Sequence, residues 1–245
     1  MSPPLLLVPG AFCGDWAFDG LRSAWRAAGL DTRAVDLPGR APGETVAGRS
    51  LADYARTVAA AAAACERPPV LVGHSLGGLV AQLAAARAPV AGLALLAPSP
   101  SWGQPVTSAV ELASAFALPA LLGPYWTEAV APDWGVAREF TLDRLPPAEA
   151  RAVHARMAPE SGRALFEALS WWLDPAVTTM VPTLRAPALV VTGALDRVHP
   201  PAATALTAGR LGAEQRVVAG MSHWTLGGPG AAEVAAAVAE FASRV

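Results

Sequence analysis

Val70-Leu71-Val72-Gly73-His74-Ser75-Leu76-Gly77-Gly78 decides how the rest of the chain is read. An apolar run of β type ends at Gly73, a serine stands two residues on, a glycine two further, and a helical pattern begins at once. The order is strand, sharp turn, helix, with G-x-S-x-G across the turn. Such a turn strains the backbone of its central serine, so the residues two before and two after must be small. The Ser75 hydroxyl then stands at a helix N-terminus, where the Leu76 amide and the positive end of the helix dipole favour an anion. An acyl-transfer nucleophile needs that setting, because negative charge develops on the oxygen beside it. The bland alternative is an ordinary tight turn between strand and helix. The flanking strand and helix weigh against it.

Working outward, Leu5–Val8 is a continuous apolar run closed by Pro9-Gly10 and reads as a buried parallel strand. The loop Gly10-Ala11-Phe12-Cys13-Gly14 leads to a helix expected over 15–28, with Trp16, Leu21 and Trp25 on its apolar face. A second strand is expected over 32–37, then a loop rich in Pro and Gly. Ser50-Leu51-Ala52-Asp53 resembles a capping box and opens a helix to about residue 65. The helix after Ser75 runs to about 87, and a fourth strand occupies 91–96. Alternating strands and helices predict right-handed crossovers and a mostly parallel sheet with helices on both faces. Ligands in such sheets bind at the carboxyl ends of the strands.

From Ser101 to Pro182 the pattern changes to helices alone, expected over 107–122, 146–157 and 162–173. An insertion of this length is not a bare loop. The reading is a helical lid, 101–182, set between the fourth and fifth strands of a core made of 1–100 and 183–245. Aromatics concentrate in it. Most should form the lid's own core and its seam with the main domain, with one or two facing substrate. Trp102, Trp126 and Trp134, with Phe12 and Trp224 from the core, are the candidate pocket residues. Strands resume at 188–193 and 215–218, with a helix to about 211 and a closing amphipathic helix over 229–243.

Ser75 at its ordinary pKa is a poor nucleophile and needs a base in hydrogen-bond reach. The candidates are His74, His154, His199 and His223. His74 must leave the turn in another direction. His154 lies in a lid helix and is expected to face solvent. His199 lies near Asp196 and competes. His223 follows the last strand and so reaches the edge of the sheet that carries Ser75; it is the chosen base. Asp196 leaves the preceding strand on the same edge and is the acid that holds the imidazole tautomer. Its bland reading is a turn aspartate that caps the next helix.

With these residues in place the chain resembles the α/β-hydrolases, in the order serine, acid, histidine. The likeness rests on Leu7-Val8-Pro9-Gly10-Ala11-Phe12, Asp36-Leu37-Pro38-Gly39, Gly73-His74-Ser75-Leu76-Gly77-Gly78, Gly193-Ala194-Leu195-Asp196-Arg197 and Gly220-Met221-Ser222-His223. It covers nearly all of the chain outside the lid and is strongest toward the compact methylesterase and hydroxynitrile-lyase branch. The resemblance implies an oxyanion hole formed by the amides of Leu76 and Ala11. One departure is plain: Pro9 stands where the family has the histidine of a His-Gly pair, so the support of that loop must differ.

Composition narrows the function. The 245 residues carry a net charge of −2 and are 53% hydrophobic, enough for a sizeable core without a basic surface for nucleic acid. The chain contains no lysine, which excludes Schiff-base chemistry and the lysine of some hydroxynitrile lyases. Two cysteines, Cys13 and Cys65, are too few for a disulfide framework. Neither the N-terminal stretch nor any alanine-rich segment reads as a signal peptide or a membrane span, so a cytoplasmic protein is expected. No metal or cofactor is expected. The partner is a small-molecule substrate, and the oligomeric state is left open. The expectation is hydrolysis of a small to medium apolar ester, lactone or thioester through an acyl-enzyme. Acyl transfer, C–C bond hydrolysis, cofactor-free cyclisation or peroxidase-type chemistry, and ligand binding without turnover are the alternatives.

Overall fold

The computed structural model describes residues 2–41, 43–105 and 107–245; Met1, Pro42 and Val106 lie outside them. Six strands form one parallel sheet: β1 (Leu5–Val8), β2 (Thr32–Ala34), β3 (Val70–His74), β4 (Gly92–Leu96), β7 (Ala188–Gly193) and β8 (Glu214–Val218), in spatial order β2-β1-β3-β4-β7-β8. Every pairing in it is parallel. The central strands are buried on both faces, as parallel strands covered by crossover helices must be.

Alternation along the strands splits the core in two. Leu5, Leu7, Val70, Val72, Leu96 and Val191 pack with Phe18, Leu21 and Trp25 of the first helical region and with Val238 and Phe241 of α9 (Ala231–Arg244). Leu6, Val8, Leu71, Leu93 and Val190 face the other way, onto α2 (Leu51–Ala63) and α3 (Leu76–Ala85). The period of two in the strands is what sorts these residues. The helix expected over 15–28 is divided into a 3-10 turn (Asp15–Phe18) and α1 (Asp19–Ala27). Ser50 caps α2 by accepting from the Ala52 N–H at 3.0 Å while the Asp53 carboxylate takes the Ser50 N–H at 2.9 Å. The second strand is shorter than its apolar pattern, although the Val35 N–H still donates to the Leu7 carbonyl at 3.0 Å.

Between β4 and β7 the chain forms α4 (Ala109–Leu122), α5 (Trp134–Val136), α6 (Pro147–His154) and α7 (Gly162–Leu169). The expectation of helices alone is corrected here. β5 (Ala129–Val130) and β6 (Glu160–Ser161) pair antiparallel, and a π-helical turn spans Ala137–Thr141. Strands of two residues carry no periodicity for a sequence to display. α8 (Pro201–Leu211) joins β7 to β8.

Strand order reverses beside β1: the chain goes from β1 outward to β2, then returns to β3 on its other side. A crevice therefore opens at the carboxyl ends of β1 and β3. The loop after β1 holds Ala11, the turn after β3 holds Ser75, and the loops after β7 and β8 hold Asp196 and His223.

Candidate active site

Ser75 sits at φ 52° and ψ −121°, a left-handed conformation that a side chain rarely adopts. Its backbone is held from three directions. The Ser75 N–H donates to the Leu96 carbonyl at 2.9 Å, and its own carbonyl accepts from Gly78 at 2.8 Å and Ser99 at 3.0 Å. The flanking glycines are required by close approach. A Cβ on Gly73 would collide with the Gly77 carbonyl, and one on Gly77 with the carbonyls of Val8 and Pro9.

The Ser75 hydroxyl lies 2.9 Å from His223 Nε2, and His223 Nδ1 lies 2.9 Å from Asp196 Oδ2. This geometry fits a neutral imidazole that donates from Nδ1 to the carboxylate and accepts the serine proton at Nε2. Asp196 Oδ1 accepts from the Val198 and His199 amides at 2.8 and 2.9 Å. Burial alone would raise the Asp196 pKa, but the facing His223 and these donors outweigh it and hold the carboxyl below its usual range. The bases of the two loops are laced together: the Ala194 N–H donates to the Val218 carbonyl and the Leu195 N–H to the Met221 carbonyl, each at 2.9 Å.

The other histidines have different surroundings. His74 turns away from Ser75 and its Nε2 donates to the His223 carbonyl at 3.1 Å, which buttresses the base from behind. Burial lowers the His74 pKa to about 3, and neighbouring His223 adds to this, so the ring is neutral at ordinary pH. His199 packs edge-on against the His223 ring, with centroids 4.9 Å apart. Its Nδ1 donates to the Ala97 carbonyl at 2.8 Å and its Nε2 meets Glu111 Oε1 of α4 at 2.9 Å. An acceptor faces each nitrogen, which favours the charged form of His199: burial opposes it, and Glu111, Asp196 and the Ala97 carbonyl overcome this, raising the pKa. His154 is half-buried rather than solvent-facing, edge-on to Trp134 at 5.3 Å.

A cavity of about 340 Å³ lies over Ser75. Ala11, Phe12, Leu76, His223 and Trp224 line it, with Leu118 and Leu121 of α4, Leu165 and Leu169 of α7, Val130, Val136 and Met157. The walls are mostly apolar, with Ser99, Ser114, Asp133, Thr141 and His199 also present and no arginine among the described residues. Among the described residues the amides of Ala11 and Leu76 donate to no protein group, so both are free to meet a bound oxygen. Three expected pocket residues lie elsewhere. Trp102 packs on Trp171, Trp126 on Tyr125 and Phe166, and Trp134 on His154 under the Arg151 guanidinium. Each ring contacts neighbours in the stretch between β4 and β7, and Trp102 and Trp126 remain partly exposed.

Cys13 also lines the cavity, but burial pushes its thiol up to about 12 against the pull of Arg40, so it stays protonated and is a poor nucleophile. Asp36 is exposed beyond β2, and Gln82 is buried, donating to the Gly78 carbonyl at 3.1 Å. The charged contacts of His199 with Glu111, and those of Glu160 described below, were not visible in the sequence. Each joins residues far apart in the chain and follows no local motif.

Among the described residues no group of three or more His, Cys, Asp or Glu is placed to hold a metal ion, and no helix is long and apolar enough to cross a membrane.

Fold and site geometry together define a class: the chain belongs to the alpha/beta hydrolase family, whose model matches residues 5–238. It is 35% identical to the pimeloyl-[acyl-carrier protein] methyl ester esterase of Stenotrophomonas maltophilia strain K279a, over 100% of this chain and 94% of that one. Among solved structures, a methylesterase from Arabidopsis superposes with a TM-score of 0.73 at 16% identity, covering 99% of this chain and 100% of its own. The monoacylglycerol lipase of Paleococcus ferrophilus superposes at 0.72 with 19% identity, covering 100% and 96%. At these identities the two structures speak for the fold alone.

Proposed function

We propose that this protein is a serine esterase for neutral carboxylic esters with an apolar acyl group, the methyl ester being the first form to test. The observation that carries the reading is the unbroken hydrogen-bond chain from Ser75 through His223 to Asp196 at the floor of an aliphatic cavity. His223 takes the Ser75 proton as the hydroxyl attacks the ester carbonyl. The tetrahedral oxyanion is held by the amides of Leu76 and Ala11. His223 then protonates the departing alcohol, and water, activated by the same imidazole, hydrolyses the acyl-enzyme.

In this reading residues 101–182 act as a lid over a core of 1–100 and 183–245. The lid's α4 and α7 supply much of the acyl pocket. At about 340 Å³ the pocket lies at the lower end of the range of small-molecule sites, which suits a small to medium ester. Among the described residues the cavity wall holds no arginine, and its one carboxylate, Asp133, disfavours a carboxylate-terminated chain. The printed name of the Stenotrophomonas relative supports a methyl ester as the reacting group.

A series of methyl and p-nitrophenyl esters of increasing acyl length tests this together with Ser75→Ala. The wild type should be labelled by a fluorophosphonate at Ser75, and kcat/KM should rise with chain length and fall once the chain outgrows the cavity. Ser75→Ala should lose labelling and turnover together. Full turnover in that variant would end the proposal.

A further inference from the structure

The missing loop histidine at Pro9 leaves open what holds the Ala11 amide in place, and the structure points to a residue outside the sheet. Phe12, next to Ala11, has φ 64°. A phenylalanine holds such a conformation only where its surroundings impose it. Both its backbone groups are engaged by one short segment of the insertion. The Phe12 N–H donates to Glu160 Oε2 at 3.3 Å, and the Phe12 carbonyl accepts from the Ala158 N–H at 2.9 Å.

Glu160 is itself anchored. It is fully buried in β6, and its carboxylate receives four donors. Arg40 Nη2 meets Oε2 at 2.6 Å, beside the Phe12 N–H. The Tyr54 hydroxyl and the Ser161 N–H reach Oε1 at 2.6 and 2.7 Å. Arg40 follows β2, Tyr54 lies in α2, and Phe12 follows β1. A buried carboxylate with full hydrogen bonding and a guanidinium partner is a rigid acceptor. It joins three parts of the core to the insertion at the point where the loop turns.

We propose that Glu160 is the positioning residue of the oxyanion hole. By fixing the peptide that follows Ala11, it sets the direction of the Ala11 N–H and ties the readiness of that donor to the seating of the insertion. It touches no reacting atom. The inference rests on the Ser75 esterase reading and adds to it the support that Pro9 does not provide.

The test compares Glu160→Gln and Glu160→Asp with Glu167→Gln. Glu167 is also a buried carboxylate of the insertion, accepting from Ser50 Oγ, the Leu51 N–H on α2 and Arg163 Nε, and among the described residues none of its hydrogen bonds goes to the loop at 10–14. Aspartate keeps the charge beside Arg40 and withdraws it from Phe12, so it serves if glutamine prevents folding. Two readouts are taken on folded protein: the rate of Ser75 phosphonylation by a fluorophosphonate, whose developing oxyanion uses the same hole, and amide hydrogen exchange of the peptide spanning 10–14. Either Glu160 variant should be labelled about ten- to a hundredfold more slowly and lose protection at 10–14. Glu167→Gln should lower the melting temperature and leave both readouts at wild-type values. Wild-type labelling rates in the Glu160 variants, or equal slowing in Glu167→Gln, overturn the inference alone. A wild type that takes no label overturns the Ser75 reading and this inference with it.

Discussion

At Gly77 the helix leaving Ser75 passes so close to the end of β1 that an added Cβ would overlap the carbonyl oxygens of Val8 and Pro9. The contact lies in backbone, which cannot rotate away. Gly77→Ala should therefore cost about 3 kcal/mol of stability and drag the Ala11 loop away from Ser75. Urea titration reads the first effect and the fluorophosphonate labelling rate the second; a variant with unchanged midpoint and rate contradicts the packing argument. This is also where sequence was most informative. G-x-S-x-G between an apolar strand and a helix states a steric requirement that can be read without coordinates. Asp196 and His223 were legible because each directly follows a strand, and parallel strands end on one edge. The tryptophans were not legible in the same way. A large ring announces burial, not its neighbour, and Trp102, Trp126 and Trp134 found theirs in the stretch between β4 and β7 rather than over Ser75.

At the scale of elements, α4 is fastened to the core near its N-terminus. Ser108 Oγ donates to the Arg197 carbonyl at 3.0 Å, and Glu111 pairs with His199 at 2.9 Å. Farther along the helix Phe116, Leu121 and Leu122 are exposed. The His199 ring faces Glu111, the Ala97 carbonyl, the Asp196 carboxylate and the His223 ring. Its pKa is raised on folding above the ordinary 6.5, so the charged form is the one the fold stabilises. That stabilisation is complete below about pH 6.5 and is lost as pH climbs through the raised value. Protection factors in the first turns of α4, corrected for intrinsic exchange, should fall on the alkaline side, and Glu111→Gln should weaken that pH dependence. Unchanged pH dependence in Glu111→Gln would count against the pair as the fastening. Helices and long strands showed themselves by periodicity. The β5–β6 ribbon and the Glu160 contacts did not, since two-residue strands have no period and, Ser161 apart, the partners of Glu160 lie 106 to 148 residues away.

For the molecule as a whole, the decisive feature is the distribution of the site along the chain. Ala11 and Ser75 follow β1 and β3 near its start, while Asp196 and His223 follow β7 and β8 near its end. The sheet order places β4 between these pairs, so the Ser75 hydroxyl meets the His223 imidazole across 148 residues of sequence. Contacts of such range form only with the global fold. Loss of labelling competence and loss of far-ultraviolet circular dichroism should therefore share one midpoint in urea; labelling that survives the spectroscopic transition contradicts this. The practical consequence concerns bookkeeping of a different kind, that of molecules. If Ser75 is the nucleophile proposed above, it would react only in copies whose two halves have docked and stay inert in misassembled ones, so a stoichiometric covalent probe would count the correctly folded fraction of any preparation.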